Sequence, residues 1–432
     1  MLRLLISRKR NARSILSRYV LNPYWNQLVK LWPKSVAPNT ITLTGLSLVF
    51  VNFLTLLYYD PSYYTEKHGS GPPHWIYFTY IVLSGINAHQ SVLLVNRWAA
   101  GLFLYQSLDA IDGKQARRTQ MAGPLGEMFD HGCDAVNTTL EAILTCYALN
   151  LGRSWWTVAS QVAALANFYL TTWEEYHTGQ LYLAEFSGPV EGILILVCLY
   201  AVTGFYGPSF WDQGVLTFVG LDGAGVLSRI LPNIPLNVAF MYFGGVGLAF
   251  NIFTSYTNVL RATRSTSTVS IRPLLRLMPF PLSVAIHVFW LSAPAPGTST
   301  ILHSALLVPF LCAWGLQFAN QVGRMILAHL TKRKDMPFWE WMWVYSLLAG
   351  IDAHMPLLFG RAPFFQYSYS RMALVVYASL LFSFAAYARF CYLVINDITE
   401  YLGIACFTVR KKGNDGEWHS SIPGIDREAK QK

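Results

Sequence analysis

Residues 109–134 read DAIDGKQARRTQMAGPLGEMFDHGCD and set two polar bursts into a largely apolar chain. The first burst is Asp109, Asp112, Gly113, Ala116 and Arg117; the second is Gly126, Asp130, His131 and Asp134. If each burst is helical, Asp109 and Asp112 are i,i+3 and Asp130 and Asp134 are i,i+4, so each pair shares a face. Two helices then offer four carboxylates to one space. Carboxylates so crowded repel unless something positive lies between them, and their hard oxygens suit Mg²⁺, Mn²⁺ or Ca²⁺. Gly113 and Ala116 leave a flat patch where a bulky ligand can approach the backbone. Arg117 and Arg118 supply planar forks for phosphate. Solvated helix caps would explain any one Asp pair. They do not explain all the parts together beside apolar helices, where ionisable groups point to function.

The chain around this stretch is 53% hydrophobic and 13% charged, against about 25% charged in an average globular protein. With a mean hydropathy of +0.34, it reads as an all-α, polytopic membrane helical bundle. The net charge of +9 would also suit a nucleic-acid binder. Its basic residues, however, fall in short runs between apolar segments, the positive-inside pattern. The implied partner is an anionic leaflet, and no nucleic acid. The six cysteines are scattered without a CxxC, so neither a disulfide framework nor a zinc site is indicated.

About ten transmembrane helices follow from the apolar runs, at about 40–58, 99–118, 125–150, 155–173, 191–206, 236–258, 277–293, 300–322, 338–359 and 372–396. Ten spans with a cytosolic N-terminus put the basic runs at 8–18, 114–118, 261–276, 324–334 and 410–412 on one side. The Asp stretch then faces the cytosol. Residues 1–38 form a cytosolic N-terminal segment. Its Arg-rich, acid-free start is also how a mitochondrial transit peptide reads, while LNPYWNQLVKL at 21–31 fits an interfacial amphipathic helix. Residues 39–206 form the core that carries the Asp stretch, and 207–404 the remaining membrane helices, for lipid access and dimerisation. Residues 405–432 form a cytosolic tail, polar and disordered from Arg410. Glu174, Glu175 and Glu191 sit near a membrane face, where most would be solvated and one could attract a cation. Glu127 either orients a base or favours a helix N-terminus by charge.

The pattern Asp-x₂-Asp-Gly-x₂-Ala-Arg-x₈-Gly-x₃-Asp-x₃-Asp, complete at Asp109, Asp112, Gly113, Ala116, Arg117, Gly126, Asp130 and Asp134, resembles the signature of the CDP-alcohol phosphotransferases. The words DGKQARRT and PLGEMFDHGCD resemble the eukaryotic choline/ethanolamine phosphotransferases, and the likeness runs from about Pro23 to about Arg410. Against the family pattern, residues 81–98 read as an insertion. The resemblance implies transfer of phosphocholine or phosphoethanolamine from CDP-choline or CDP-ethanolamine to diacylglycerol, with release of CMP. It implies a membrane enzyme of the endoplasmic reticulum or Golgi, and by analogy a homodimer.

The chemistry suits the residues. Two divalent ions, Mg²⁺ or in its place Mn²⁺, can neutralise a diphosphate and clamp its entering and leaving oxygens. The expected ligands are Asp109, Asp112, Asp130 and Asp134. Gly113, Ala116, Arg117 and Gly126 would receive the CDP-alcohol. The lipid hydroxyl needs a base. Asp134 is the family's usual candidate, but a metal-bound carboxylate is a weak base. His131 titrates near neutrality and is preferred here. The rival reading is a cation channel or small-molecule transporter whose Asp cluster lines a path; such a path does not require the Gly-Ala-Arg spacing.

Overall fold

The computed structural model describes residues 16–65, 97–179, 189–221, 232–264, 272–294, 300–333 and 335–422. The first fifteen residues, Glu185, Lys334 and residues 81–96 of the expected insertion lie outside the described residues.

A short surface helix, α1 (Asn22–Leu31), precedes the long helix α2 (Pro38–Tyr59), which starts with Pro at its first position, where a missing N–H costs nothing. The Asp stretch supplies α3 (Arg97–Arg118) and α4 (Pro124–Ala148). Next come α5 (Trp155–Thr178), α6 (Pro189–Tyr206), the single turn α7 (Val215–Phe218) and α8 (Leu236–Arg264). The chain continues through α9 (Arg272–Leu275), α10 (Pro279–Leu291), α11 (Leu307–Leu330), α12 (Met342–Ala353), α13 (Met355–Phe359) and α14 (Tyr369–Leu402).

A helix stands at each of the ten places read as spans. By length and composition, four among the described residues can cross a membrane: Pro38–Tyr59, Leu236–Thr263, Pro273–Leu291 and Tyr369–Leu402. Helices α3 and α4 carry the charges of the Asp stretch, and α12 is only 12 residues long, about 18 Å. Three boundaries differ from expectation. The segment expected to span 300–322 is turns up to Leu306 and helix from Leu307 to Leu330. The one expected at 338–359 breaks at His354, because Pro356 cannot donate to the ladder and its ring crowds the preceding turn. The described part of the tail, 405–422, is ordered. There Arg410–Lys412 pairs antiparallel with Trp418–Ser420 as β1 and β2, and apolar residues hold it to the bundle where composition had suggested disorder.

One core joins the two halves of the chain. It runs from Val49 of α2 through Trp98, Tyr105 and Tyr147 to Trp314 and Phe318 of α11 and Val376 of α14. Trp98, read as the last residue of the insertion, is fully buried, with its indole N–H on Thr55 Oγ1 at 3.2 Å. It therefore belongs to the packed start of α3. Close helix crossings use glycine. A Cβ at Gly315 of α11 would overlap Thr139 of α4, and one at Gly101 of α3 would overlap Asn52 of α2. The outer helices turn large apolar side chains outward, among them Phe243, Phe250 and Phe253 of α8, as lipid-facing surfaces do.

Gly315→Leu should therefore lower stability in detergent by about 1–3 kcal/mol or more through overpacking. Gly244→Leu, where an added Cβ meets nothing within 4 Å, should leave it unchanged. Thermal unfolding of the two purified variants checks this.

Candidate functional site

Helix α3 ends in a Schellman turn: Gln120 takes the left-handed conformation (φ 58°), and the Met121 N–H bonds the Ala116 carbonyl at 2.8 Å. Pro124 opens α4 and Glu127 lies in its first turn, the position where the helix dipole favours an acid. The turn thus folds the second burst of polar residues back on the first. Carboxylate oxygens of Asp109, Asp112 and Asp130 lie within 4.8 Å of one another. All three residues are half-buried, so the cluster is open at one side. Asp109 Oδ1 and Asp130 Oδ1 are buried with no hydrogen-bond partner. Like charges so placed repel by roughly 3 kcal/mol per pair at an effective dielectric near 20. All-oxygen donors crowded in this way, two of them buried without a hydrogen bond, fit a hard divalent cation.

Asp112 and Asp134, the latter outside that group of three, each accept a hydrogen bond from a residue outside the signature. Thr42 of α2 donates to Asp112 Oδ2 at 2.5 Å. The Tyr105 hydroxyl, one turn before Asp109, donates to Asp134 Oδ1. Both Thr42 and Tyr105 are buried. The sequence reading missed this pair. Their spacing from the motif gives no signal in α2, and in α3 only Tyr105 at i−4 from Asp109 could have marked it.

Gly113 opens beside the cluster. A Cβ there would meet only the Arg117 guanidinium, at 3.8 Å, and Arg117 is exposed. Ala116 is buried on the same helix, and the Gly126 backbone lies next to the Asn39 side chain. Arg118 does not face this patch. Its guanidinium donates to the Val29 and Trp32 carbonyls and to Gln115. Lys114 reaches Asn26 at 2.8 Å and Asn22. The basic residues at 114 and 118 therefore anchor the surface helix α1 to α3. At Arg118, where a phosphate fork was expected, Nη1 is committed to those carbonyls.

His131 lies between two acids. Its Nδ1 is 3.7 Å from Asp130 Oδ2 and its Nε2 is 3.7 Å from Glu175 Oε2. Glu175, in the last turn of α5, is buried and not solvated as expected. Its carboxylate also falls within 4.8 Å of ligand atoms of Glu127 and His329. Glu174 is buried as well. It accepts from Ser255 and Asn258, both at 2.7 Å, and so ties α5 to α8. Sequence could not separate the two adjacent acids, since only packing shows which one turns toward His131.

A family model described as CDP-alcohol phosphatidyltransferase matches residues 35–219. An uncharacterised CDP-alcohol phosphatidyltransferase class-I family protein of Schizosaccharomyces pombe is 37% identical over 400 residues, covering 92% of this chain and 93% of the relative. Cholinephosphotransferase 1 of Saccharomyces cerevisiae is 35% identical over 413 residues, covering 92% and 93%. Choline/ethanolaminephosphotransferase 1 of Arabidopsis thaliana is 31% identical over 415 residues, covering 92% and 94%.

Loss of an outer hydrogen bond to a metal ligand typically weakens metal binding by about tenfold or more. Tyr105→Phe and Thr42→Val should each show that loss when Mn²⁺ is titrated into the purified variants, with the helical content unchanged by circular dichroism.

Proposed function

The chain belongs to the CDP-alcohol phosphatidyltransferase family, and from that premise we propose that it is an integral membrane transferase that moves phosphocholine or phosphoethanolamine from the CDP-alcohol to diacylglycerol, releasing CMP. The single observation that supports this most is the meeting of Asp109, Asp112 and Asp130 within 4.8 Å beside His131. Arg117 and the Gly113/Ala116 patch receive the diphosphate and nucleotide. Gly126 keeps the start of α4 close to them.

Divalent ions held by Asp109, Asp112, Asp130 and Asp134, two Mg²⁺ or Mn²⁺ on this reading, would supply the positive charge that neutralises the diphosphate. His131 accepts the proton of the diacylglycerol hydroxyl as that oxygen bonds to the phosphorus bearing the alcohol. The bond from that phosphorus to the CMP oxygen breaks, and CMP carries away the electron pair. Glu175, facing His131 Nε2, orients the ring and stabilises its positive charge, so Nδ1, on the Asp130 side, is the nitrogen left to take the proton. Tyr105 already donates to Asp134. This favours Asp134 as a ligand and His131 as the base.

On the reading of ten crossings with a cytosolic N-terminus, this site lies on the cytosolic face, where the nucleotide is available, of the endoplasmic reticulum or Golgi membrane. Residues 39–206 carry the chemistry, and residues 207–404 serve lipid access and a homodimer contact.

CMP release by purified protein with diacylglycerol and Mg²⁺ tests the reading, comparing CDP-choline with CDP-ethanolamine. Wild type should turn over at least one of them. His131→Ala should lower kcat by about 100-fold or more. Glu175→Gln should lower kcat by about tenfold with little change in the KM for nucleotide. Near-normal turnover by His131→Ala would return the base to Asp134. A silent wild type with Mg²⁺ and with Mn²⁺ would overturn the assignment.

A further inference from the structure

Ordered structure continues past the last long helix. Gly403 ends α14 in the left-handed region (φ 61°), and its carbonyl accepts the Lys412 N–H at 2.8 Å. A Cβ at 403 would stand 3.0 Å from that of Lys412, so a side chain there meets both backbone strain and crowding. Gly403 thus sends the chain back over the bundle as a strap, residues 404–422, built on the β1–β2 hairpin.

The strap lies on the turn that joins the two polar bursts. Ser421 Oγ donates to the Thr119 carbonyl at 2.6 Å. Val409 packs with Ala37 and Met121 in a buried cluster completed by Ile404 and Ile422. The Phe407 ring meets Phe129 edge-on, with centroids 5.5 Å apart. Asn39 Nδ2 donates to Cys406 Sγ at 3.4 Å, and the same Asn39 side chain borders Gly126. These contacts fix three pieces together: the start of α2, the 119–123 turn and the first turns of α4. Their placement sets how Asp109 and Asp112 face Asp130, the residue after Phe129. Thr119 is two residues beyond Arg117.

We propose that the C-terminal strap is a positioning element of the active site, with Phe407 and Ser421 as its positioning residues. It holds the two halves of the Asp signature in register for metal and nucleotide. This rests on the signature being the CDP-alcohol site, as assigned above. The strap contributes no ligand and no proton acceptor. Loosening it affects the groups that must converge on the diphosphate, where small displacements are costly.

The test uses the full chain with Phe407→Ala, Ser421→Ala and both together, and with Phe407→Tyr and Ser421→Thr as conservative partners. Each alanine variant should raise the Mg²⁺ concentration for half-maximal CMP release, and the KM for CDP-choline, by about three- to tenfold. One hydrogen bond or one aromatic pair supports a change of that size. The KM for diacylglycerol should hold, and the conservative variants should match wild type. Hydrogen exchange gives a second measure that does not need turnover. Amides of residues 119–130 should exchange faster in the double variant, while those of α11 do not. Unchanged constants with unchanged local exchange would overturn the proposal. So would a fall in kcat alone, with faster exchange throughout the bundle. If wild type released no CMP, the signature assignment would fail by itself, and faster exchange confined to 119–130 would still separate a working strap from an idle one.

Discussion

Mutual repulsion among Asp109, Asp112 and Asp130 is the constraint on which the rest of the arrangement depends. Three carboxylates within 4.8 Å do not stay together by themselves, so the surrounding structure has to hold them there. Thr42 fixes Asp112 from α2, and Tyr105 fixes the neighbouring Asp134 from within α3. The Schellman turn at Gln120 and Pro124 at the start of α4 set the angle at which the two helices meet. Lys114, Gln115 and Arg118 bind the polar side of α3 to α1 and its following loop. Two of the motif's basic residues, Lys114 and Arg118, thereby serve the packing of α1 on α3. The Asp residues, His131 and Arg117 lie on the side of the two helices where the carboxylates meet.

The helices outside this centre form its enclosure. Helix α11 presses Gly315 against Thr139 of α4, and α14 reaches the motif directly, where the Tyr387 hydroxyl bonds the Gly132 carbonyl at 3.0 Å. The second half of the chain therefore bears on the backbone next to His131. Several buried polar side chains in this half of the chain are paired with one another. Gln317 bonds Ser346 and Ser383, and Asn320 bonds Glu340. Apolar surroundings make an unpaired polar group costly, so such pairs specify which helices meet.

Much of this was legible in the sequence because it depends on local periodicity. Helices at each expected place, the face shared by Asp109 and Asp112, and the turn at Gly123–Pro124 all follow from spacing and from Gly and Pro chemistry. What was not legible depends on contacts between distant segments. Glu174 and Glu175 are chemically identical neighbours, and only the packing of α5 turns one to Asn258 and the other to His131. Arg117 and Arg118 read alike until packing turns Arg118 Nη1 to the carbonyls of Val29 and Trp32. The polar tail past Arg410 lacks the composition of a core element. Its order comes from Ile404, Val409 and Ile422 meeting Met121 and Ala37, residues more than 280 positions away in the chain for Met121 and Ile404 (404 − 121 = 283).

The central claim is that α3 and α4 jointly hold a divalent-metal centre. Electron paramagnetic resonance of Mn²⁺ bound to the purified chain with CMP tests it most directly. The account predicts spin-coupled Mn²⁺ ions at a separation of about 4 Å, a signal lost in both Asp112→Asn on α3 and Asp130→Asn on α4. A spectrum of isolated Mn²⁺ that survives either substitution would contradict it.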